Sequence, residues 1–267
     1  MTKTKIIVEK DSFLDIDFKN EVKIHKYHFI NLYARLITNI KSEKTTFFVS
    51  NKLKNELLSL GYSKYQVFQN DSLSENLNIY LKLNKYRLKN ENFTIISDDC
   101  FGAYLYTYLD ICYKSPFIWM YVEKPNFYKL CTNLKEYLNM NLEFIETDKK
   151  WPVARLKDVT IHFNHYKTKE NAIECFNKRK ERIDFNNLFI KTTINDKDEI
   201  PLFQALSCKN KIALINKDFM QNLDNKENMV FLEDDKKFEG FWQVAQLKSY
   251  KFFDIIHWLN TGRILNI

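Results

Sequence analysis

Short apolar runs alternate with stretches of helical period along this chain, and together they predict a strand–helix rhythm. Lys5–Val8 and Thr45–Ser50 read as strands, the second rich in β-branched and aromatic residues. Between them Phe29, Ile30, Tyr33, Leu36, Ile37 and Ile40 recur at helical spacing, which predicts a helix over Tyr27–Ile40. A helix at Asn51–Leu60 stopped by Gly61, a strand at Tyr65–Phe68 and a longer helix at Ser72–Leu88 complete the first part.

The second part opens with a strand at Phe93–Ser97, a helix at Phe101–Leu109 and a strand at Phe117–Val122. Pro125 then starts a helix to Met140, with Phe127, Leu130, Cys131, Leu134 and Leu138 on its apolar side. Strands follow at Leu142–Glu146 and Val159–Tyr166, then a helix over Thr168–Arg182 and strands at Leu188–Thr192, Lys211–Ile215 and Met229–Glu233. An amphipathic helix at Phe241–Leu259 ends the pattern. The rhythm predicts an α/β fold made of two packed, Rossmann-like α/β parts with largely parallel or mixed sheets. Residues 1–83 form the N-terminal part, 84–220 carry the candidate site, and 221–267 supply a strand and helix that pack on the core.

Composition narrows this picture only a little. With 267 residues, 45% of them hydrophobic, the chain can bury a substantial core, and four Gly and four Pro argue for an element-rich protein. The net charge of +7 suits a phosphorylated or acidic small molecule, an anionic polymer or a membrane surface. No nucleic-acid motif accompanies it, so no nucleic-acid partner is expected. Five cysteines without CxxC spacing predict reduced thiols rather than a disulfide frame. The N-terminus lacks the apolar core of a signal peptide, and the longest apolar run, Phe117–Val122, is strand-sized. A cytoplasmic location is the expectation.

The chemistry concentrates where the Phe93 strand breaks into Ser97-Asp98-Asp99-Cys100 and hands over to a helix. A helix start presents unpaired backbone N–H groups and a partial positive charge, which can stabilise a thiolate or receive an anion. Cys100 is therefore a candidate nucleophile, or else a small buried hydrophobe; Asp98 and Asp99 are candidate helix caps, metal ligands or proton carriers. Downstream, Val159-Thr-Ile-His-Phe-Asn-His-Tyr166 carries two histidines three apart. On a regular strand they point to opposite faces, which argues against a chelate, so no metal ligand set is assigned. His165, nearer the strand's C-terminal end, is the candidate general base, with His162 in reserve. Arg155 and Arg179 could hold a phosphate or carboxylate in bidentate fashion. The catalytic candidates are thus Cys100, His165 and Asp99; the substrate-binding candidates are Asp98, Gly102, Arg155, His162 and Arg179. No Walker loop, GxGxxG, GxSxG or HExxH occurs.

Four segments resemble a bacterial family known as a domain of unknown function (DUF1919), some of whose members are labelled exopolysaccharide or capsule biosynthesis proteins. They are Phe93–Gly102, Trp151–Tyr166, Asn177–Ile183 and Asn187–Lys191, within residues 84–220. Where that family has Asn-Asn before the cysteine and Trp-Gly-Gly after it, this chain has Asp98-Asp99 and Phe101-Gly102-Ala103. The acids oppose thiolate formation and favour a metal or proton-transfer role. The strand–Cys–helix start is also similar to that of a polysaccharide acetyltransferase family, by analogy alone. The resemblance implies a two-part α/β fold and a place in surface-polysaccharide assembly.

The first expectation is an acyl-group transferase or esterase-like enzyme on a surface-glycan precursor. Cys100 or the helix-start amides would meet the acyl carbonyl, His165 would move the proton, and Arg155 or Arg179 would hold an anionic acceptor or a coenzyme A phosphate. The alternatives are a nucleotide-sugar-dependent glycosyl- or sugar-phosphate transferase using Asp98 and Asp99, and a non-catalytic glycan-binding or assembly protein with sugar-stacking aromatics. The cofactor expected is acetyl-coenzyme A or a nucleotide sugar. Expected partners are a small-molecule or glycan-precursor substrate and, peripherally, membrane-bound assembly machinery.

Overall fold

The computed structural model describes residues 84–233, 245–246 and 248–266, together with segments 5–9, 23–27, 45–49 and 67–69 and positions 55, 57, 77 and 81. The chain is α/β and divides into two compact units, Met1–Leu83 and Asn84–Ile267. In the first unit, β1 (Lys5–Glu9), β2 (Lys23–Tyr27), β3 (Thr45–Val49) and β4 (Val67–Gln69) form a parallel sheet in the order β2-β1-β3-β4. The β2 strand is not foreseen in the sequence pattern. The helix expected at Tyr27–Ile40 lies outside the described residues, except that Tyr27 closes β2. Asn55 and Leu57 are helical, as are Leu77, Leu81 and Asn84; a 3₁₀ turn at Lys85–Arg87 follows.

The second unit holds two sheets. A parallel one, ordered β12-β11-β10-β5, is built from β5 (Thr94–Ser97), β10 (Leu188–Ile194), β11 (Asn210–Asn216) and β12 (Met229–Leu232). An antiparallel one, ordered β6-β9-β8-β7, contains β6 (Tyr121–Val122), β7 (Glu143–Ile145), β8 (Val153–Leu156) and β9 (Val159–His162). All four residues of β5 and six of the seven in β10 are buried, which is why both read as near-continuous runs rather than alternating ones.

Helices α1 (Phe101–Leu109), α2 (Asn126–Thr132), α3 (Leu134–Leu138), α4 (Lys169–Lys180), α5 (Glu199–Ala205) and α6 (Ile255–Thr261) cover these sheets. One core cluster joins Ile190, Ala213 and Ile215 of the parallel sheet to Ala154 and Ile161 of the antiparallel one, through Phe127, Leu130 and Phe176. On the other face of the parallel sheet, the α6 residue Trp258 meets Phe189 edge-on, with ring centroids 5.1 Å apart.

Several elements differ from the sequence pattern, each for a local reason. The Phe117–Val122 run is strand only at Tyr121–Val122, because Pro116 has no N–H to donate and Trp119 is left-handed, with φ 60. The helix from Pro125 to Met140 is broken at Asn133. The histidine strand stops at His162 and pairs with β8, which the pattern misses since Trp151-Pro152 precedes it and an exposed Arg155 interrupts it. The last helix is not continuous over Phe241–Leu259: a 3₁₀ turn occupies Ser249–Lys251, and α6 begins only after Asp254, whose carboxylate accepts from the His257 amide at 3.0 Å. Helix α5 is likewise unforeseen. Lys211 donates to the carbonyls of Phe203, Gln204 and Leu206 at its C-terminal end.

Candidate functional site

The parallel register sets Ser97 beside Lys191, so the loop after β5 and the middle of β10 meet at one edge of the sheet. Side chains alternate along β10, which sends Lys191 and Thr193 to one face and Thr192 to the other. Asp98 sits across both. Its Oδ2 accepts from Thr192 Oγ1 and from the Thr193 amide, each at 2.9 Å, and its Oδ1 lies 3.4 Å from Lys191 Nζ. Lys191 is wholly buried; its ammonium also reaches Asp99 Oδ2 at 2.5 Å and Thr193 Oγ1 at 2.7 Å, and stands 5.3 Å from the centre of the Phe101 ring.

A second ammonium enters from the loop before α2. Lys124 Nζ is 3.2 Å from Asp98 Oδ2 and 2.6 Å from Glu199 Oε2, ion-pair distances at angles that miss hydrogen-bond alignment. Tyr128 donates to the same Glu199 oxygen at 3.0 Å and lies 3.3 Å from Thr192 Oγ1. Two ammonium groups therefore face three carboxylates. Asp99 is the carboxylate of the Lys191 pair that keeps solvent contact, with 20% of its side chain exposed against 6% for Asp98.

The environment splits the adjacent acids. Burial pushes the Asp98 carboxyl up, but Lys191, Lys124 and its hydrogen bonds from Thr193 and Thr192 outweigh that and hold it below the ordinary carboxylate range. Asp99 goes the other way: burial raises it, and the neighbouring Asp98 charge adds to the rise against the pull of Lys191. Burial, with the Asp99 charge beside it, pushes the Cys100 thiol up to about 12. At neutral pH it is a thiol, not a thiolate.

The helix-start amides are already engaged. Phe101 N–H donates to Asp99 Oδ1 at 2.9 Å, and Gly102 N–H to Ser97 Oγ at 3.1 Å. The Ser97 hydroxyl in turn donates to the Asp99 carbonyl at 2.7 Å. A Cβ on Gly102 would lie 3.1 Å from both Ile95 Cγ2 and Ser97 Oγ, so α1 approaches β5 closely here.

Asp98, Asp99, Cys100 and Gly102 thus share one turn. His165 is exposed and lies against Trp119, with centroids 5.3 Å apart; Trp119 meets Tyr104 edge-on at 5.4 Å. The Tyr104 amide donates to the Cys100 carbonyl at 3.1 Å, so two aromatic rings connect His165 to the helix that starts at the turn. Arg179 donates to Tyr166 OH and stacks over the Tyr113 ring at 4.8 Å, and Tyr113 OH accepts from the Trp119 indole at 3.3 Å.

The remaining two candidates lie on the antiparallel sheet. His162 stacks on Tyr121 at 4.4 Å, with Nε2 3.2 Å from Glu123 Oε1, and Arg155 is exposed opposite Glu143 and Thr160. Burial lowers the His162 pKa. Cavities of about 330 and 230 Å³ open elsewhere, lined by Lys135, Lys180 and Phe185 in one case and by Lys149, Trp151 and Lys169 in the other. Among the described residues no group of three or more His, Cys, Asp or Glu could hold a metal ion, and none of the helices is long and apolar enough to cross a membrane.

The sequence profile of the domain of unknown function (DUF1919) matches residues 72–260. The chain belongs to this family. An uncharacterised protein of Haemophilus influenzae is 33% identical over 184 residues, which cover 65% of this chain and 87% of that protein. In DUF1919 terms, the resembling segments Phe93–Gly102 and Asn187–Lys191 supply the two walls of the charged turn.

The sequence reading misses Lys191, Lys124, Thr192, Thr193, Tyr128 and Glu199. For Lys191 a signal exists: Leu188-Phe-Ile-Lys-Thr-Thr-Ile194 sets a charge inside a run apolar enough to be buried on both faces. Such a charge demands a carboxylate partner. No comparable signal marks Lys124 or Glu199, which flank element ends as surface residues do.

Proposed function

We propose that this protein is a cytoplasmic group transferase of surface-polysaccharide biosynthesis that acylates a hydroxyl of a glycan precursor. Asp99 is the general base. The observation that carries this reading is the imbalance of two ammonium groups against three carboxylates, with Asp99 both raised in pKa and partly open to solvent. A carboxylate so placed accepts a proton without leaving an unpaired charge behind, because Lys191 stays partnered by Asp98.

In the proposed step the acceptor hydroxyl loses its proton to Asp99 as its oxygen attacks the thioester carbonyl of acetyl-coenzyme A. The C–S bond then breaks, and the departing thiolate takes up the proton. Direct transfer needs no acyl-enzyme, and the raised pKa of Cys100 disfavours a resting thiolate nucleophile. The runner-up, a metal-dependent nucleotide-sugar transferase, gains less support: Lys191 and Lys124 already hold the carboxylates that such an ion would need. Contact with membrane-bound assembly machinery belongs to the same proposal.

The test is release of free coenzyme A from acetyl-coenzyme A in the presence of nucleotide-linked and lipid-linked sugar acceptors. Asp99→Asn is expected to lower kcat by about 10²-fold or more in a chain that still unfolds cooperatively above the assay temperature. Cys100→Ala is expected to stay within a few-fold of wild type. Absence of release across the acceptor panel, or full activity of Asp99→Asn, would rule the reading out.

A further inference from the structure

We infer that Trp119, His165 and Tyr104 form a stacking subsite for a pyranose ring of the acceptor glycan, next to Asp99. This inference rests on the transferase reading above and names where its acceptor is held. Three observations carry it.

The first is backbone strain. Trp119 lies between two buried residues, Ile118 and Met120, yet is itself only partly buried, and its φ of 60 is left-handed. Bulky side chains rarely adopt that conformation, and strained positions persist where the surroundings over-determine them, often at ligand sites. Here the indole packs against the edge of the core that Met120 enters while part of its ring stays open.

The second is how the indole is held. Its N–H donates to Tyr113 OH at 3.3 Å, and that hydroxyl lies 3.0 Å from Thr107 Oγ1. Arg179 is stacked on the opposite partner, the Tyr113 ring, at 4.8 Å. With its edge pinned, the indole presents a fixed ring beside the exposed imidazole of His165, 5.3 Å away and tilted by 59°. Tyr104 abuts it at 5.4 Å and 78°. An exposed imidazole beside a partly open indole and phenol offers a half-polar aromatic surface, suited to the C–H face and the equatorial hydroxyls of a sugar.

The third is continuity with the reacting group. Tyr104 is one turn along α1 from Cys100, and its amide donates to the Cys100 carbonyl at 3.1 Å, next to Asp99 in the chain. On the proposal, a sugar held on these rings lies beside the helix that starts at the Asp99 turn, with its reacting hydroxyl towards Asp99. On this account His165 is a wall of the acceptor site rather than the base.

The experiment uses the full chain and three probes: lactose, maltotriose and chitotriose. Saturation-transfer NMR should show transfer to ring C–H protons of at least one of them in wild type. Trp119→Asn, whose side chain tolerates left-handed backbone, should reduce affinity for that sugar tenfold or more. His165→Ala, at an exposed position that folding does not depend on, should weaken it several-fold. No transfer from any probe in wild type, or unchanged affinity in both Trp119→Asn and His165→Ala, would overturn the subsite.

The two readings fail separately. Sugar binding that depends on Trp119, with no coenzyme A release in any assay, removes the transferase and keeps the subsite. Transfer that is unaltered in KM by Trp119→Asn and His165→Ala removes the subsite and keeps the transferase.

Discussion

A lysine sealed inside a parallel strand keeps its charge only if carboxylates come to it, and in this protein they come from the next strand's loop. Lys191 meets Asp98 and Asp99 because strand register puts it beside Ser97, one residue before them. Asp98 is shared by Lys191, Lys124, the Thr192 hydroxyl and the Thr193 amide, so losing its charge strips each of these buried donors of a partner and costs about 3–5 kcal/mol. Asp98→Asn is therefore expected to lose about that much stability at pH 7. The pH dependence follows from the direction of the shift. The folded-state pKa of Asp98 lies below the ordinary carboxylate value of about 3.9, so its contribution is fully present above that pH and is lost as pH falls through the folded value. Urea midpoints measured from pH 7 down to pH 2.5 should show the gap between wild type and Asp98→Asn narrowing below about pH 4. A gap that stays constant over that range would mean Asp98 does not stabilise the fold as an ion. Asp99 behaves oppositely: its raised pKa means that ionisation costs stability as pH rises past the unfolded value, which suits a group that takes up a proton in function.

At the scale of elements, the site depends on α1 lying close against β5. Gly102 allows this, since a methyl group there would press on Ile95 and on the Ser97 hydroxyl, both at 3.1 Å. Gly102→Ala should cost about 1–3 kcal/mol, read as a drop in the thermal midpoint, and should loosen the turn that holds Asp99. An unchanged midpoint would show that α1 can shift freely and that the close approach is incidental. How far such elements are legible in sequence differs with their surroundings. β5, β10, β11 and α1 can be read directly, because parallel strands buried on both faces are written as unbroken apolar runs and α1 follows a turn rich in acids. The antiparallel sheet is harder. β6 is two residues long, β8 follows Trp151-Pro152, and β9 ends at His162, after which the Phe163 amide still donates across to the Pro152 carbonyl at 2.9 Å before the chain turns. The same limit applies to the site. The turn Asp98–Gly102 is visible because it interrupts a hydrophobic run, whereas Lys124 and Glu199 become partners only through the fold, 26 and 101 residues beyond Asp98 in sequence. Trp119 carries no local mark of its left-handed backbone, since neither Gly nor Asn stands there.

At the scale of the whole molecule, the second unit contains everything the proposed chemistry needs. The charged turn, the aromatic cluster and the core that joins its two sheets all fall within Asn84–Ile267. That core contains large fully buried rings, among them Phe117, Phe127, Phe163 and Phe176, together with aliphatic side chains from both sheets. A unit of this size with its own apolar core meets the physical requirement for independent folding. Residues 84–267 expressed alone should therefore unfold in one cooperative urea transition, with a near-UV circular dichroism spectrum that reports fixed aromatic packing. A broad, non-cooperative transition with dye-binding apolar surface would show that the first unit is required to complete the core. The family match begins at residue 72, twelve residues before this unit starts, so a second fragment beginning at residue 72 separates two causes. If 84–267 fails and 72–267 folds, residues 72–83 are needed for the second unit to fold. If both fold with equal midpoints, the charged edge of the parallel sheet is sustained by the second unit alone, and the Asp99 environment should be the same in the fragment as in the full chain.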